Sequence, residues 1–233
     1  MPVIGTGEAW SLATRRLYLC TADRPDLESF LAACISGGVD IVQLRDKVLP
    51  DPALVERAKL AGKVCADHGV PFIINDRPDL VGETGADGVH VGQDDMSAVA
   101  SRRVVGPAAL VGLSTHAVDE LDAAIGSSGG PPAPVDYVSA GPVSATPTKP
   151  GRPGTGLGYV NEAVRRSPWP VWITGGVAPD TVGAMLDAGA RHFVVVRWLT
   201  QADDPGAHAR ALRWAIDEGI DRAEAARSAR GSH

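Results

Sequence analysis

The chain has 233 residues, which suits one barrel-sized domain. Hydrophobic residues make up 44% and charged residues 21%, a balance that supplies a large core and excludes a wholly disordered chain. A formal net charge of −6 gives no electrostatic reason to expect nucleic acid or an anionic membrane as partner, so any anion site must be a local basic cluster.

Cys20, Cys34 and Cys65 are odd in number and lack CxxC spacing, which argues for free thiols over a disulfide scaffold or zinc site. No apolar run approaches the roughly 18 residues of a membrane span, and the first residues lack a secretory-signal pattern. A cytoplasmic protein is expected. The sequence does not specify an oligomeric state, and a homo-oligomer is compatible with it.

Residues 1–15 read as an N-terminal extension. The first strand is expected at Arg16–Thr21, followed by a helix near Asp26–Ser36, a strand at Val39–Arg45 and a helix from about Asp51 to His68. Further short Val- and Ile-rich runs follow at Pro71–Asn75, Asp87–Val91, Ala109–Leu113, Asp136–Ala140, Pro170–Thr174 and His192–Val196. Near-continuous apolar strands between helical stretches indicate a parallel sheet covered on both faces. Glycines at Gly37-Gly38, Gly85 and Gly189 supply the turns that end a helix before a strand begins. About eight such units predict an α/β fold: a single TIM (β/α)₈ barrel over residues 16–220, with 221–233 as a C-terminal tail and Ser228 to His233 unstructured. A Rossmann-like open sheet is the alternative, weakened because no G-x-G-x-x-G follows the first strand.

Two stretches break the rhythm. Gly126–Pro134 is a Gly/Pro-rich connection. Ala140–Gly158 is long, rich in Gly, Pro and Thr, and directly follows the sixth strand. In a barrel that places it on the catalytic rim, where long loops act as lids or binding loops.

Polar residues gather at the strand ends. Gln43, Arg45 and Lys47 alternate at the end of the second strand, a spacing that sends all three toward the barrel mouth. Asn75-Asp76 ends the third strand, Gly92-Gln93-Asp94-Asp95 follows the fourth, and Ser114-Thr115-His116 ends the fifth. Thr146, Thr148 and Lys149 occupy the sixth loop, and Gly175-Gly176 closes the seventh strand. Each piece alone has an ordinary reading: a solvated Arg45-Asp46-Lys47 turn, helix caps at Asp76 and at one of Asp94 and Asp95, a stiff Thr146-Pro147-Thr148 loop, a tight Gly-Gly turn. His90 and His116 read as structural histidines and are left out of the chemistry. The coincidence of all the others at one rim is the signal.

These ordered motifs, with His90-Val91-Gly92-Gln93-Asp94-Asp95 and Gly175-Gly176-Val177 among them, resemble those of the thiamine-phosphate synthase family, from about Leu17 to Asp204. The resemblance implies that Gln43, Arg45, Lys47 and Asn75 hold a pyrimidine diphosphate, that Asp76 and Asp95 bind Mg²⁺, and that Ser114 and Lys149 contact the same substrate. It also implies that Thr146, Thr148 and Gly176 hold a thiazole phosphate. Arg45, Lys47, Ser114 and Lys149 are then the catalytic candidates. Val196 is a further substrate-binding candidate; after it the family usually places a small polar residue, but here it is Arg197, a secondary candidate for the monophosphate pocket.

The implied reaction condenses 4-amino-2-methyl-5-hydroxymethylpyrimidine diphosphate with the thiazole phosphate, or its carboxylated form, to give thiamine phosphate and pyrophosphate. Loss of pyrophosphate leaves a carbocation on the pyrimidine methylene, so the protein's task is electrostatic. Arg45, Lys47, Lys149 and Mg²⁺ supply about +5 and the two aspartates subtract about 2, leaving roughly +3 to face the diphosphate. Three rivals stay open at this point: a thiazole tautomerase, a catalytically silent barrel that senses a phosphorylated metabolite, and a phosphate-binding barrel enzyme of tryptophan or histidine biosynthesis.

Overall fold

Alternation along each strand sorts the side chains into two cores. In the strand Leu17–Thr21 (β1), Leu17 and Leu19 pack outward against helices, while Tyr18 turns into the barrel. The same period of two recurs in Ile41–Leu44 (β2), Phe72–Asn75 (β3), Gly88–Val91 (β4), Leu110–Thr115 (β5), Tyr137–Ala140 (β6), Val171–Ile173 (β7) and His192–Val195 (β8). Between them run the helices Leu27–Ser36 (α1), Asp51–Asp67 (α2), Val81–Thr84 (α3), Ala98–Val105 (α4), Val118–Ile125 (α5), Gly156–Arg166 (α6), Val182–Asp187 (α7), Arg197–Thr200 (α8) and Pro205–Gly231 (α9). This is a computed structural model, describing residues 10–127, 129–145 and 153–231.

All neighbouring strands pair in parallel, and β8 returns to β1, so the sheet closes into the expected barrel. The inner core is a small cluster of Leu12, Tyr18, Ile41, Ile73, Leu110, Tyr137 and Trp172 at the bottom and middle of the barrel. One layer higher the inward positions turn polar, and that layer is the floor of the site described below.

Three aspartates fasten the bottom. Asp40, Asp87 and Asp136, each just before an even-numbered strand, give their backbone N–H to Leu17, Phe72 and Val111 of the strand before or beside them. Each carboxylate then accepts the N–H of that same residue, at 3.0, 2.8 and 2.7 Å. The clamp pairs strand-end donors that would otherwise be left open.

The described part of the N-terminal extension is not detached. Leu12 is buried in the inner cluster, and Trp10 donates its indole N–H to Asp87 at 3.2 Å, so residues 10–14 plug the barrel bottom. The C-terminal end corrects the sequence reading. Ser228 was expected to begin an unstructured end, but α9 runs to Gly231, and the boundary drawn at residue 220 falls inside this helix. Asp221–Arg230 is rich in Ala and Arg and free of Gly and Pro, which favours continued helix. The fifth strand also extends past Leu113 to Thr115, held by pairing with Ala140 and by the Thr115 hydroxyl donating to Ser139 O at 2.9 Å. All three cysteines are free and buried. Among the described residues, no helix is long and apolar enough to cross a membrane.

Candidate active site

Above the inner core, the barrel opens at the C-terminal ends of its strands into a cavity of about 560 Å³. Seven of the residues singled out in the sequence line it: Gln43, Arg45, Asn75, Ser114, Gly176, Val196 and Arg197. They come from β2, β3, β5 and the loops after β7 and β8, so segments far apart in sequence meet at one mouth. Thr146, Thr148 and Lys149 lie outside the described residues.

Lys47, Asp76 and Asp95 form the adjoining rim. Lys47 Nζ is 3.1 Å from Asp76 Oδ2, and the Asp95 carboxyl lies within hydrogen-bonding reach of Asp76. Burial raises the Asp76 carboxyl above the usual carboxylate range, with Asp95 pushing the same way and Lys47 opposing. The Lys47 ammonium offsets part of the repulsion between these two carboxyls. Asp76 has φ 61°, a left-handed backbone that Asp tolerates better than most residues, and its N–H is tied to His90 O at 2.8 Å. Its immediate neighbour Asn75 lines the cavity, which places the cluster beside the cavity mouth.

The capping roles weighed for these aspartates fall elsewhere. Ser97 caps α4 through a bond from Ala100 N, while Asp95 accepts Gly92 N at 2.9 Å. In Arg45-Asp46-Lys47 the structural member is the middle one: Asp46 accepts the backbone N–H groups of Val48, Leu49 and Asp23. Against the upward pull of burial, those donors hold its carboxyl below the usual range. Asp46 thus shapes the turn that presents Arg45 to the cavity and Lys47 to the rim. His116 is tied to Glu120 Oε2 at 2.9 Å through Nδ1, in keeping with a structural role.

On the opposite side, Gly175 and Gly176 have φ of 90° and 80°, a turn only glycine adopts without strain. A side chain at Gly175 would also strike Pro142. Arg197 opens α8 and faces the same cavity with an exposed side chain.

The sequence reading missed part of the floor. Tyr18, Cys20, His90, Tyr137 and Ser139 also line the cavity, joined to Gln43 and Ser114 by hydrogen bonds. The period of two in β1, β4 and β6 carries the signal for them, since each lies on the inward phase of its strand.

Fold and mouth together define a (β/α)₈-barrel enzyme with its polar site on the C-terminal rim. A family model described as thiamine monophosphate synthase matches residues 17–199. The thiamine-phosphate synthase of Thermobifida fusca is 44% identical over 206 residues, covering 87% of this chain and 92% of that one. That of Saccharopolyspora erythraea is 42% identical over 221 residues, covering 90% and 96%. A solved thiamine phosphate pyrophosphorylase from Pyrococcus furiosus matches with a TM-score of 0.76 at 26% identity, over 88% of this chain and 96% of that chain. The chain belongs to the thiamine monophosphate synthase family, and it is a transferase.

Proposed function

We propose that this enzyme joins the aminopyrimidine methyl diphosphate to the thiazole phosphate, releasing pyrophosphate and thiamine phosphate. The observation that carries the reading is the cluster of Lys47, Asp76 and Asp95, next in sequence to Asn75 and near Arg45, which both line the cavity. The donor set fits Mg²⁺, which takes one or two carboxylates and fills its remaining positions with water and phosphate oxygens. Asp76 and Asp95 would hold the ion. When bound, it supplies positive charge to the departing diphosphate oxygens.

The chain's own groups do the rest. Arg45 and Lys47 face the leaving group with two fixed positive charges, and Lys149 is assigned to the same task. Gln43, Asn75 and Ser114 orient the pyrimidine diphosphate by hydrogen bonds across the floor. The C–O bond to pyrophosphate breaks first, and the aminopyrimidine ring delocalises the charge left on its methylene carbon. The thiazole nitrogen then attacks that carbon, a step that needs positioning more than proton transfer. Gly176, Val196, Thr146 and Thr148 are assigned to the thiazole phosphate, with Arg197 adding a charge where the family usually carries a small polar residue.

A thiazole tautomerase, with no diphosphate to bind, would have no use for this paired-carboxylate rim beside two cations. Nor would a silent sensor barrel. The reactants are phosphorylated small molecules, which together with the buried free thiols fits a cytoplasmic enzyme. The test mixes enzyme, Mg²⁺ and both substrates. Thiamine phosphate and pyrophosphate should appear together, and omission of either substrate should abolish thiamine phosphate. Absence of thiamine phosphate with both substrates present would overturn the assignment.

A further inference from the structure

Six side chains from β1, β2, β4, β5 and β6 form one unbroken hydrogen-bonded line across the cavity floor: Cys20, Gln43, Tyr18, Tyr137, His90 and Ser114. Its direction follows from the end whose chemistry is fixed. The Gln43 Nε2, which only donates, lies 2.9 Å from the Tyr18 hydroxyl, and the Gln43 Oε1, which only accepts, lies 3.0 Å from the Cys20 thiol. The reverse amide orientation would set an NH₂ group against a sulfur, a weak acceptor. Tyr18 thus receives a hydrogen from Gln43 and passes its own to the Tyr137 oxygen, 3.1 Å away. Tyr137 in turn donates to His90 Nδ1 at 3.2 Å. A ring nitrogen that accepts is bare, so neutral His90 carries its hydrogen on Nε2 and gives it to Ser114 Oγ at 2.9 Å. Ser139 donates to the same oxygen from 3.4 Å. The Ser114 hydroxyl hydrogen is then left to point into the cavity that Ser114 lines.

We propose that this line is a one-way hydrogen-bond relay in which His90, as a positioning residue, holds Ser114 as an obligate donor toward the substrate's leaving diphosphate. The identity of the acceptor rests on the function proposed above; the direction of the relay does not. Burial protects it from competing water, since Tyr18, Gln43, Tyr137 and His90 are all buried. Burial also raises both phenols well above their ordinary range, so they keep their hydrogens at any working pH. Tyr137 stacks on the His90 ring, with centroids 5.5 Å apart and planes 28° from parallel, which holds the imidazole in the orientation the relay needs.

The direct test is ¹⁵N NMR of protein labelled in its six histidines, with the His90 signals identified as those missing from His90→Gln. The relay predicts a protonated Nε2 and a bare Nδ1 at neutral pH. Tyr137→Phe removes the donor to Nδ1 and should yield a mixture of tautomers. In kinetics, His90→Leu should lower kcat by about 10- to 100-fold, the loss of one hydrogen bond to a charged partner. His90→Gln, which keeps a donor near Ser114, should recover most of that loss. A protonated Nδ1 in the unmodified protein would mean that Ser114 donates into the ring, and would overturn the relay. Equal kinetics for the Leu and Gln variants would reduce His90 to packing and overturn it as well. Should the protein form no thiamine phosphate at all, the functional reading fails while the tautomer measurement still decides the relay.

Discussion

Asp95→Asn should lower Mg²⁺-dependent turnover by about 100-fold or more, the scale of losing one charge-stabilising group at a reacting centre. The side chain is exposed, and it accepts the Gly92 N–H, a bond that an asparagine oxygen can keep. Stability should therefore stay within about 0.5 kcal/mol of the parent. What the substitution removes is one of the two negative charges that converge at the rim, the other being that of Asp76. Turnover measured at limiting and at saturating Mg²⁺ checks this. Rates equal to the parent's at both concentrations would take Asp95 out of the metal site.

Gly112→Ala should damage both the barrel's packing and the site above it. A Cβ at residue 112 would overlap the ring and hydroxyl of Tyr137 and come within 2.5 Å of His90 Nδ1. Tyr137 is 1% exposed and packs edge-on against Tyr18 and Trp172, so it has nowhere to retreat. Overpacking of this kind costs about 1–3 kcal/mol, and here it also separates the stacked pair beneath Ser114. Thermal melting and kcat/KM should both fall. Gly82→Ala, where nothing lies within 4 Å of the added methyl, serves as the control and should lower neither.

The barrel was legible because each parallel strand is a short apolar run between helices, and because the strands end where polar residues begin. Gln43, Arg45, Asn75 and Ser114 could be placed at the mouth for that reason, and they do line it. The floor was harder to see. His90 sits in a four-residue buried strand and looks like a core histidine until its partners are known. Those partners, Ser114 and Tyr137, are 24 and 47 residues away. No local pattern encodes contacts of that range. The same holds for the clamps at Asp40, Asp87 and Asp136, where an acidic residue before a strand reads as an ordinary turn until the adjacent strand is in place. The end of α9 was misjudged for a different reason: Ser228 was expected to begin an unstructured end, but the Ala- and Arg-rich run that leads to Gly231 has strong helix propensity.

The claim at the centre is that Arg45, Lys47 and a cation held by Asp76 and Asp95 together receive pyrophosphate. Calorimetric titration with inorganic pyrophosphate, with and without Mg²⁺, tests it without any turnover. The account predicts saturable binding by the parent protein that requires Mg²⁺ and is lost in Asp95→Asn. Binding of equal strength without Mg²⁺, or unchanged binding in the variant, would contradict it.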